Sequence, residues 1–433
     1  MSSSGAQTIE WKTEAPGDPR MSIEQQQNEH PPLPLKGVRI VECGVWHAGP
    51  GAAAILGDLG AEVIKVESLA GEPERRQRTL GSVPLGGTED DWSLLYEISN
   101  RSKRGICVDL ESGEGSEILR RLVASADVFL TNFKEKTVAR LKVDYPTVST
   151  INPRIIHVTV SGYGPNGPLA HTGGFDPMGQ AVSGMSLMAG SGEPQILQVV
   201  ILDQVTAITA SHAVLTALYQ RKETGKGQAI HASLYGSGVW LLYANLLTAS
   251  YLKQNISTTW DRKTAPALRN TYKCRDGNWI VGTNHPEHKY WPTFCKLLDV
   301  EWMNGDARFA TPEARARNMA ELIAAIDEII VGKTRAEWLD LFTREGLQFV
   351  PVNTYEDVLH DPQALANGYI VEANHPMMGS LRMPGYPVRF SGASTRSTPA
   401  PTRGQHTADV LQELGFEPHQ IEVMRKSGRI RCA

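Results

Sequence analysis

Cysteine is scarce in this 433-residue chain: there are five, scattered without a Cys-x-x-Cys pair. That spacing argues against a structural zinc site and a disulfide framework, and it is typical of proteins of the reducing cytosol. The histidines are also dispersed and show no metal-ligand spacing. We therefore expect a cytoplasmic protein without a metal centre.

The chain also lacks a large excess of charge of one sign and any long apolar run. The net charge of −4 gives no general attraction to nucleic acid or to anionic membranes. No apolar stretch reaches the roughly 18 residues of a membrane-spanning helix. Residues 1–32 are rich in Ser, Gln, Glu and Pro and lack the apolar core of a signal peptide, so we expect a mobile leader. These features predict a globular protein with neither a nucleic-acid nor a membrane partner.

Strand-like and helix-like segments alternate from Leu33 to about Ile201. Alternation of this kind with short connections predicts an α/β fold, with a mostly parallel sheet covered by helices. A smaller α+β domain is predicted to follow. The predicted boundaries are 1–32 for the leader, 33–236 for the large domain, 237–270 for a linker, 271–388 for the small domain and 389–433 for a C-terminal segment.

The first strand–helix–strand unit contains the most informative part of the chain. An apolar run, Val38–Val41, leads into a predicted glycine turn at Gly49 and Gly51, and a small-residue helix follows from about Ala52 to Leu59. Exposed N–H groups at such a helix start favour a phosphate or another anion. The sequence therefore predicts a nucleotide-type ligand site here.

The glycine spacing leaves the type of nucleotide open. Gly49-x-Gly51-x-x-Ala54 formally meets the dinucleotide pattern, and Glu67 stands about where a ribose-binding acid would lie. However, Pro50 is unusual between the glycines, and the link from the strand is longer than in that pattern. A nicotinamide-dependent oxidoreductase is therefore kept only as a less favoured alternative.

Basic residues recur at predicted strand ends and turns. A ligand with several phosphates needs such cations, because each phosphate must exchange water for charge-assisted hydrogen bonds. Solvated surface charge explains any single cluster more simply, whereas several clusters on one side of a sheet favour a phosphate site. The clusters are Arg75, Arg76 and Arg78; Arg101, Lys103 and Arg104; and Lys134, Lys136 and Arg140.

Three carboxylates could carry chemistry. Glu193 lies in a Gly-Ser-Gly-Glu-Pro run, whose small residues would let a bulky substrate approach. A carboxylate can attack an activated acyl group to form an anhydride. A solvent-exposed turn acid is an equally simple interpretation of Glu193. Asp176 has an alternative role in ordering its own turn, and Asp203 could cap a long helix predicted from Gln204 to about Lys222.

A series of short motifs occurs along the chain. They are Leu35-x-Gly37-Val-Arg-Ile-Val41, Ala48-Gly-Pro50, Leu59-Gly-Ala-Glu-Val-Ile-Lys-Val-Glu67, Asn100-Arg-Ser-Lys-Arg104, Asn132-Phe133, Ser161-Gly-Tyr-Gly164, Gln180-Ala-Val-Ser-Gly184 and Thr224-Gly-Lys-Gly-Gln228. In this order and combination the chain resembles the family III CoA-transferases, which include formyl-CoA transferase, carnitine CoA-transferase and the related α-methylacyl-CoA racemases. The resemblance runs from about Leu35 to Gly236 and reappears at residues 404–415.

The resemblance implies a Rossmann-like large domain joined by linkers to a smaller α+β domain, in a dimer of interlocked rings. It implies coenzyme A or acyl-CoA as a substrate, with no permanently bound cofactor, and a carboxylic acid as the second substrate. The partner chain would be a second copy or a paralogous subunit. The implied CoA contacts are His47 and Ala48 at the thioester end, Arg76, Lys103 and Arg104 among the phosphate-binding cations, and Asn132, Phe133 and Arg140 along the pantetheine and nucleotide.

The resemblance also implies a covalent mechanism. An aspartate attacks the donor thioester and forms a mixed anhydride, the CoA thiolate then forms an enzyme thioester, and the acceptor acid takes the CoA. That aspartate is expected soon after Ser183-Gly184, where the chain has Glu193 and no Asp. We therefore predict Glu193 as the nucleophile, with Asp176 and Asp203 as reserves.

One alternative follows from this departure. The chain could have lost its nucleophile and be a CoA-binding subunit paired with an active paralogue, as in benzylsuccinate CoA-transferase. The racemase branch is disfavoured, because Phe175 stands where that branch has its histidine.

Overall fold

The computed structural model describes residues 31–85, 92–188, 193–256 and 260–433, so most of the predicted leader lies outside the described residues. The chain divides into two units. The larger unit comprises the described residues up to Met188, together with Pro194–Ile256 and Val371–Ala433. The smaller unit comprises Glu193 and residues 260–370.

The strands of the larger unit are rich in Val and Ile, as is typical of strands that are buried on both faces. The strands of the described residues are, in chain order, β1 (Arg39–Cys43), β2 (Glu62–Glu67), β3 (Thr79–Leu80), β4 (Val83–Pro84), β5 (Lys103–Val108), β6 (Val128–Thr131), β7 (Ile156–Ser161), β8 (Gln228–Ser233), β9 (Thr271–Lys273), β10 (Trp279–Gly282), β11 (Phe349–Val352), β12 (Ile370–His375), β13 (Gly379–Pro384) and β14 (Ile430–Arg431).

Helices connect most of these strands, and many start at a Ser, Thr or Asp whose side chain accepts a backbone N–H. They are α1 (Ala48–Asp58), α2 (Leu94–Asn100), α3 (Gly113–Ser125), α4 (Glu135–Arg140), α5 (Tyr145–Ile151), α6 (Asp176–Ser183), α7 (Ile201–Thr224), α8 (Leu234–Leu241), α9 (Tyr243–Leu252), α10 (Glu287–Leu297), α11 (Pro312–Arg317), α12 (Met319–Ile330), α13 (Arg335–Arg344), α14 (Tyr355–His360), α15 (Pro362–Ala366), α16 (Thr407–Glu413) and α17 (Pro418–Lys426).

The main sheet has the order β14-β5-β2-β1-β6-β7-β8. All neighbouring pairs are parallel except β14 with β5. The predicted α/β fold with a mostly parallel sheet is therefore confirmed. The strand order reverses at β1, and ligands of such sheets bind outside the carboxyl ends of the strands at the reversal. That position lies here between the ends of β1 and β6.

Helices α1 and α7 pack closely on one face of this sheet. Their apolar side chains share one core cluster with β1, β6 and β7. A Cβ atom on Gly51 would lie 3.1 Å from the His47 ring and 3.2 Å from Ala207 Cβ, so glycine permits the close approach. By length and composition alone α7 could also cross a membrane. Its buried face, which includes Leu202 and Val214, makes it a core helix of this unit.

The predicted glycine turn is wrong. Helix α1 begins at Ala48 and includes both Gly49 and Gly51, so no glycine loop separates the strand from the helix as in a dinucleotide site. Pro50 is tolerated because the N–H groups of a first helical turn need no intrahelical partner. The glycines serve helix packing here, and this removes the pattern on which nicotinamide binding rested.

The unit boundaries also differ from the predicted domains. Residues 237–256, predicted as linker, are mostly helical in α8 and α9 and belong to the larger unit. Residues 371–388, predicted in the small domain, contain the β12–β13 hairpin and also belong to the larger unit. The hairpin is held there by long-range contacts, such as the 3.1 Å approach of His375 Nε2 to Glu97 Oε2, which local pattern does not reveal.

Candidate active site

Four ionisable side chains form a buried charge cluster beneath the turn between β1 and α1: Glu42, Lys65, Glu72 and Lys103. None of the four is exposed at its side chain. The Lys65 ammonium donates to Glu42 at 3.2 Å and to Glu72 at 2.7 Å, and the Lys103 ammonium donates to Glu42 at 3.0 Å. Opposite charges in direct contact offset the large cost of removing each ion from water.

This cluster also holds the backbone of the turn. Lys65 Nζ donates to the carbonyl of Gly44 at 2.7 Å, and Glu72 Oε1 accepts the N–H of Trp46 at 2.8 Å. Trp46 has a φ of 63°, a left-handed conformation that is rare for a bulky residue. Such strain persists only where surrounding contacts enforce it, and it occurs preferentially at functional sites.

Asn132, directly after β6, binds the same turn from the other side of the strand reversal. Its Oδ1 accepts the N–H of Val45 at 2.9 Å, and its Nδ2 donates to the Val45 carbonyl at 2.5 Å. Both polar groups of the amide are therefore used inside the protein. The turn is fixed from two directions and places His47 at the start of α1.

His47 connects three helices through its ring. The ring is buried, with Nδ1 2.9 Å from Ser99 Oγ on α2 and Nε2 2.7 Å from Gln204 Oε1 on α7. Burial lowers the pKa of His47 below its ordinary value, with the nearby Arg101 and Lys103 charges acting in the same direction. The imidazole is therefore neutral at neutral pH.

Asp176 is the first residue of α6 and caps the start of α7. Its Oδ2 accepts the N–H groups of Leu202 at 2.6 Å and Asp203 at 3.1 Å, and its Oδ1 accepts Gln180 Nε2 at 2.5 Å. The prediction that Asp203 is the cap is wrong, because α7 begins at Ile201 and the capping oxygen comes from another helix. The Asp203 side chain is thereby left available for another role.

The Asp203 carboxyl lies half-buried in the first turn of α7. Burial, and then the negative charge of Asp176, raise the pKa of Asp203 to about 7. The two carboxyl groups at the start of α7 therefore have different environments: both oxygens of Asp176 accept hydrogen bonds, whereas Asp203 is partly buried beside that charge. A group whose pKa is shifted toward neutrality by burial and a defined neighbour is a candidate for chemistry.

Phe175 and Trp46 add an apolar edge beside these acids. Phe175 precedes Asp176, and its ring meets the Trp46 ring edge to face with the centroids 5.9 Å apart. Phe175 is 55% exposed and Trp46 37% exposed, which is unusual for large aromatic side chains. The pair presents apolar surface close to the turn that carries His47.

Glu193 has a different setting. It is an exposed residue of a bend in the smaller unit, directly after residues 189–192, which lie outside the described part of the chain. The structure brings His47, Asp176 and Asp203 together within the larger unit. Sequence reasoning ranked Glu193 first, and the role of Glu193 stays a prediction.

Lys103 has an internal role in place of the predicted phosphate contact. Besides Glu42, its ammonium donates to the carbonyls of Pro50 at 2.9 Å and Ser99 at 2.8 Å, and to Asn100 Oδ1 at 3.0 Å. Burial lowers the pKa of Lys103 to about 8, and the charge of Glu42 opposes that shift. The fully buried ammonium is not accessible to a phosphate.

The other predicted CoA contacts are distributed around the larger unit. Arg104 forms 2.7 Å ion pairs with Glu62 and Glu413 near the amino ends of the strands, away from the strand reversal. Arg76 is exposed and donates to the Ala70 carbonyl at 3.1 Å, and Arg140 is exposed and pairs with Glu111 at 3.0 Å. The residues that remain next to the strand reversal are Ala48, buried at the start of α1, and Phe133, partly buried after β6.

Sequence reasoning missed Ser99 and Gln204. Both belong to residue types that are common on solvated helix faces, and neither lies in a motif that points to chemistry. The one available signal was that Gln204 directly follows Asp203. The contact of Gln204 with His47 spans 157 residues of chain, a separation that local pattern cannot detect.

Comparison with known proteins adds a consistent result. The family model described as CoA-transferase family III matches residues 35–407. Mouse succinyl-CoA:glutarate CoA-transferase is 33% identical over 92% of this chain and 90% of its own length. Clostridioides difficile (R)-2-hydroxy-4-methylpentanoate CoA-transferase is 30% identical over 92% of this chain and 99% of its own length. A solved CAIB/BAIF family protein from Brucella suis superposes with a TM-score of 0.79 at 30% identity, covering 89% of this chain and all of that one.

Replacing Lys65 by methionine tests the buried charge cluster. The change leaves Glu42 and Glu72 without their shared cation, so we expect the free energy of unfolding to fall by about 3–5 kcal/mol. Urea unfolding followed by circular dichroism measures it. Arg140→Met is the matched control, since it removes an exposed ion pair that contributes at most about 1 kcal/mol. Equal effects of the two changes would contradict the cluster's role.

Proposed function

This chain belongs to CoA-transferase family III, and on that premise we propose that Asp203 is the carboxylate that carries its reaction. The protein is an enzyme that transfers CoA between an acyl-CoA and a carboxylic acid. The observation that carries the proposal is the contrast between the two acids at the start of α7. Asp176 uses both oxygens to cap the helix and bind Gln180, whereas Asp203 lies beside it with a pKa raised to about 7.

In the proposed reaction an Asp203 oxygen attacks the thioester carbonyl carbon of the donor. The carbon–sulfur bond breaks, CoA leaves as a thiolate, and a mixed anhydride remains. The thiolate then attacks the Asp203 carbonyl carbon, which releases the donor acid and forms an enzyme thioester. The acceptor carboxylate attacks that thioester, which expels the CoA thiolate and forms a second mixed anhydride between Asp203 and the acceptor acid. The thiolate then attacks the acceptor's acyl carbon, the bond from that carbon to the Asp203 oxygen breaks, and the new acyl-CoA leaves with Asp203 restored.

The environment of Asp203 suits each of these steps. A carboxylate whose pKa is raised toward neutrality is a stronger base, and therefore a better nucleophile, than a fully solvated one. Partial burial also keeps water from the anhydride and thioester, both of which hydrolyse. Glu193 is exposed in its bend and lacks this protection from water.

For the substrates we propose an acyl-CoA donor and a carboxylic acid acceptor of the kinds named for the relatives. Succinyl-CoA with glutarate and succinyl-CoA with 2-hydroxy-4-methylpentanoate are the first pairs to test. The exposed rings of Trp46 and Phe175 favour an acid with an apolar part. Coenzyme A would be a substrate and not a resident cofactor.

We also propose a cytoplasmic location, because all five cysteines are free thiols.

We further propose that the active form is a dimer, with a second copy of this chain as the partner. None of the ten residues of α9 is buried within its own chain. Tyr243, Leu247 and Tyr251 repeat at intervals of four along this helix, and they are 58%, 60% and 82% exposed. Trp240 on α8 packs against Tyr243 and is itself 71% exposed. An apolar stripe of this size is typical of a subunit interface.

Asp203→Asn is the direct test of the nucleophile. The amide cannot form the anhydride, so we expect the exchange of CoA between succinyl-CoA and the acceptor acid to fall by at least about 1000-fold, while the fold is kept. Chromatographic separation of the acyl-CoA products measures the rate. Glu193→Gln is the matched control and is expected to keep most of the activity. The reverse pattern would assign the nucleophile to Glu193.

The pH dependence of the exchange is a second test. Asp203 must be ionised to attack, so kcat/KM is expected to be about half its maximum near pH 7 and to fall further as the pH drops below that value. Removing the negative charge of Asp176 in Asp176→Asn should lower the pKa of Asp203 and move this acid limb to lower pH. An acid limb that stays in place in the variant would contradict the coupling of the two groups.

Light scattering after size-exclusion chromatography tests the dimer. We expect the unaltered chain to have about twice the mass of one chain, and the double variant Leu247→Asp/Tyr251→Asp to be a folded monomer. Tyr355→Asp changes an equally exposed tyrosine of the smaller unit and serves as the control. A monomeric unaltered chain would contradict the proposal.

A further inference from the structure

We propose that the side-chain amide of Gln204 is a further catalytic group, which donates its N–H to the oxyanion formed when Asp203 attacks a thioester or anhydride. Ser99 and His47 are positioning residues that turn the NH2 group of Gln204 toward the substrate. This inference rests on the proposed role of Asp203 and adds a group to the same site.

The hydrogen-bond geometry fixes the orientation of the amide. Gln204 Oε1 lies 2.7 Å from His47 Nε2, and because a carbonyl oxygen can only accept, that ring nitrogen carries the hydrogen. His47 Nδ1 is then without hydrogen and accepts from the Ser99 hydroxyl, 2.9 Å away. With its oxygen held by the ring, Gln204 directs its NH2 group away from His47.

The ring that holds Gln204 has little freedom to move. His47 and Ser99 are both buried, whereas Gln204 is exposed on the open side of the helix. A Cβ atom on Gly51 would lie 3.1 and 3.3 Å from two ring atoms of His47, so α1 closes against the imidazole. A donor held by such a rigid support is preorganised, which is the property that makes oxyanion donors effective.

The chemistry calls for a donor at this place. Every step of the proposed exchange passes through a tetrahedral intermediate whose negative charge develops on the oxygen of the attacked carbonyl. The attacked carbon is either an acyl carbon that is bonded to an Asp203 oxygen or the carboxyl carbon of Asp203 itself. Gln204 is the next residue in the same first turn of α7, and its NH2 group is the donor that we assign to this oxygen.

Gln204→Glu tests the donor, because it keeps the shape and replaces the NH2 group by an acceptor. With succinyl-CoA as the probe, we expect kcat for exchange and the single-turnover rate of enzyme–CoA adduct formation to fall by about 100- to 1000-fold. KM should change by less than about threefold. Gln220→Glu, an exposed glutamine at the other end of α7, is the matched control. A Gln204→Glu rate within threefold of the unaltered enzyme would overturn the proposal.

Ser99→Ala tests the positioning role, because it removes the hydroxyl that donates to His47 Nδ1. We expect kcat for exchange to fall while KM changes by less than about threefold, since the ring no longer holds the amide of Gln204 in one orientation. A kcat within about threefold of that of the unaltered enzyme would overturn the positioning role.

These results are distinct from a failure of the proposed function. If the unaltered enzyme forms no adduct on Asp203, the nucleophile is wrong. If it forms the adduct and Gln204→Glu forms it equally fast, only the donor is wrong.

Discussion

The buried contact of Lys65 with Glu42 and Glu72 is the interaction on which the site depends. It joins β1, β2 and the segment after β2, and the same ammonium holds the Gly44 carbonyl. Through Glu72 it also holds Trp46 in a left-handed conformation that the residue would otherwise avoid. The fixed turn leads directly into His47, whose ring lies between Ser99 on α2 and Gln204 on α7. An ionic cluster of this kind contributes little net stability but determines one geometry, since every alternative leaves a buried charge without a partner.

Two aspartates at one helix start illustrate how environment separates chemical roles. Asp176 accepts three hydrogen bonds and caps α7, and such bonds stabilise an ionised carboxylate. Asp203 lies in the turn of α7 that Asp176 caps. Partial burial, and then the charge of Asp176, raise the pKa of Asp203. The first acid is therefore suited to structure and the second to reaction. Gln204 and His47 complete the arrangement with a neutral hydrogen-bonding pair.

Much of the fold could be predicted from local pattern. The alternation of apolar strands with helices indicated the parallel sheet, and short motifs indicated the family, because both are properties of neighbouring residues. The role of Asp203 could not be read in this way. A helix predicted to begin at Gln204 made Asp203 look like its cap, whereas the real cap comes from Asp176, which is 27 residues earlier in the chain. The charge of Lys103 suggested a phosphate contact, and only its long-range contact with Glu42 shows that it is internal. The phosphate contacts of Arg76 and Arg140 and the role of Glu193 stay predictions.

The nucleophile can be identified most directly by mass spectrometry of the chain after incubation with succinyl-CoA. Digestion and peptide sequencing would locate the covalent CoA adduct. Hydroxylamine cleaves thioesters, so it would release the CoA from the adduct. We predict that the adduct lies on Asp203. An adduct on Glu193, or a chain that exchanges CoA without any adduct on Asp203, would contradict this assignment.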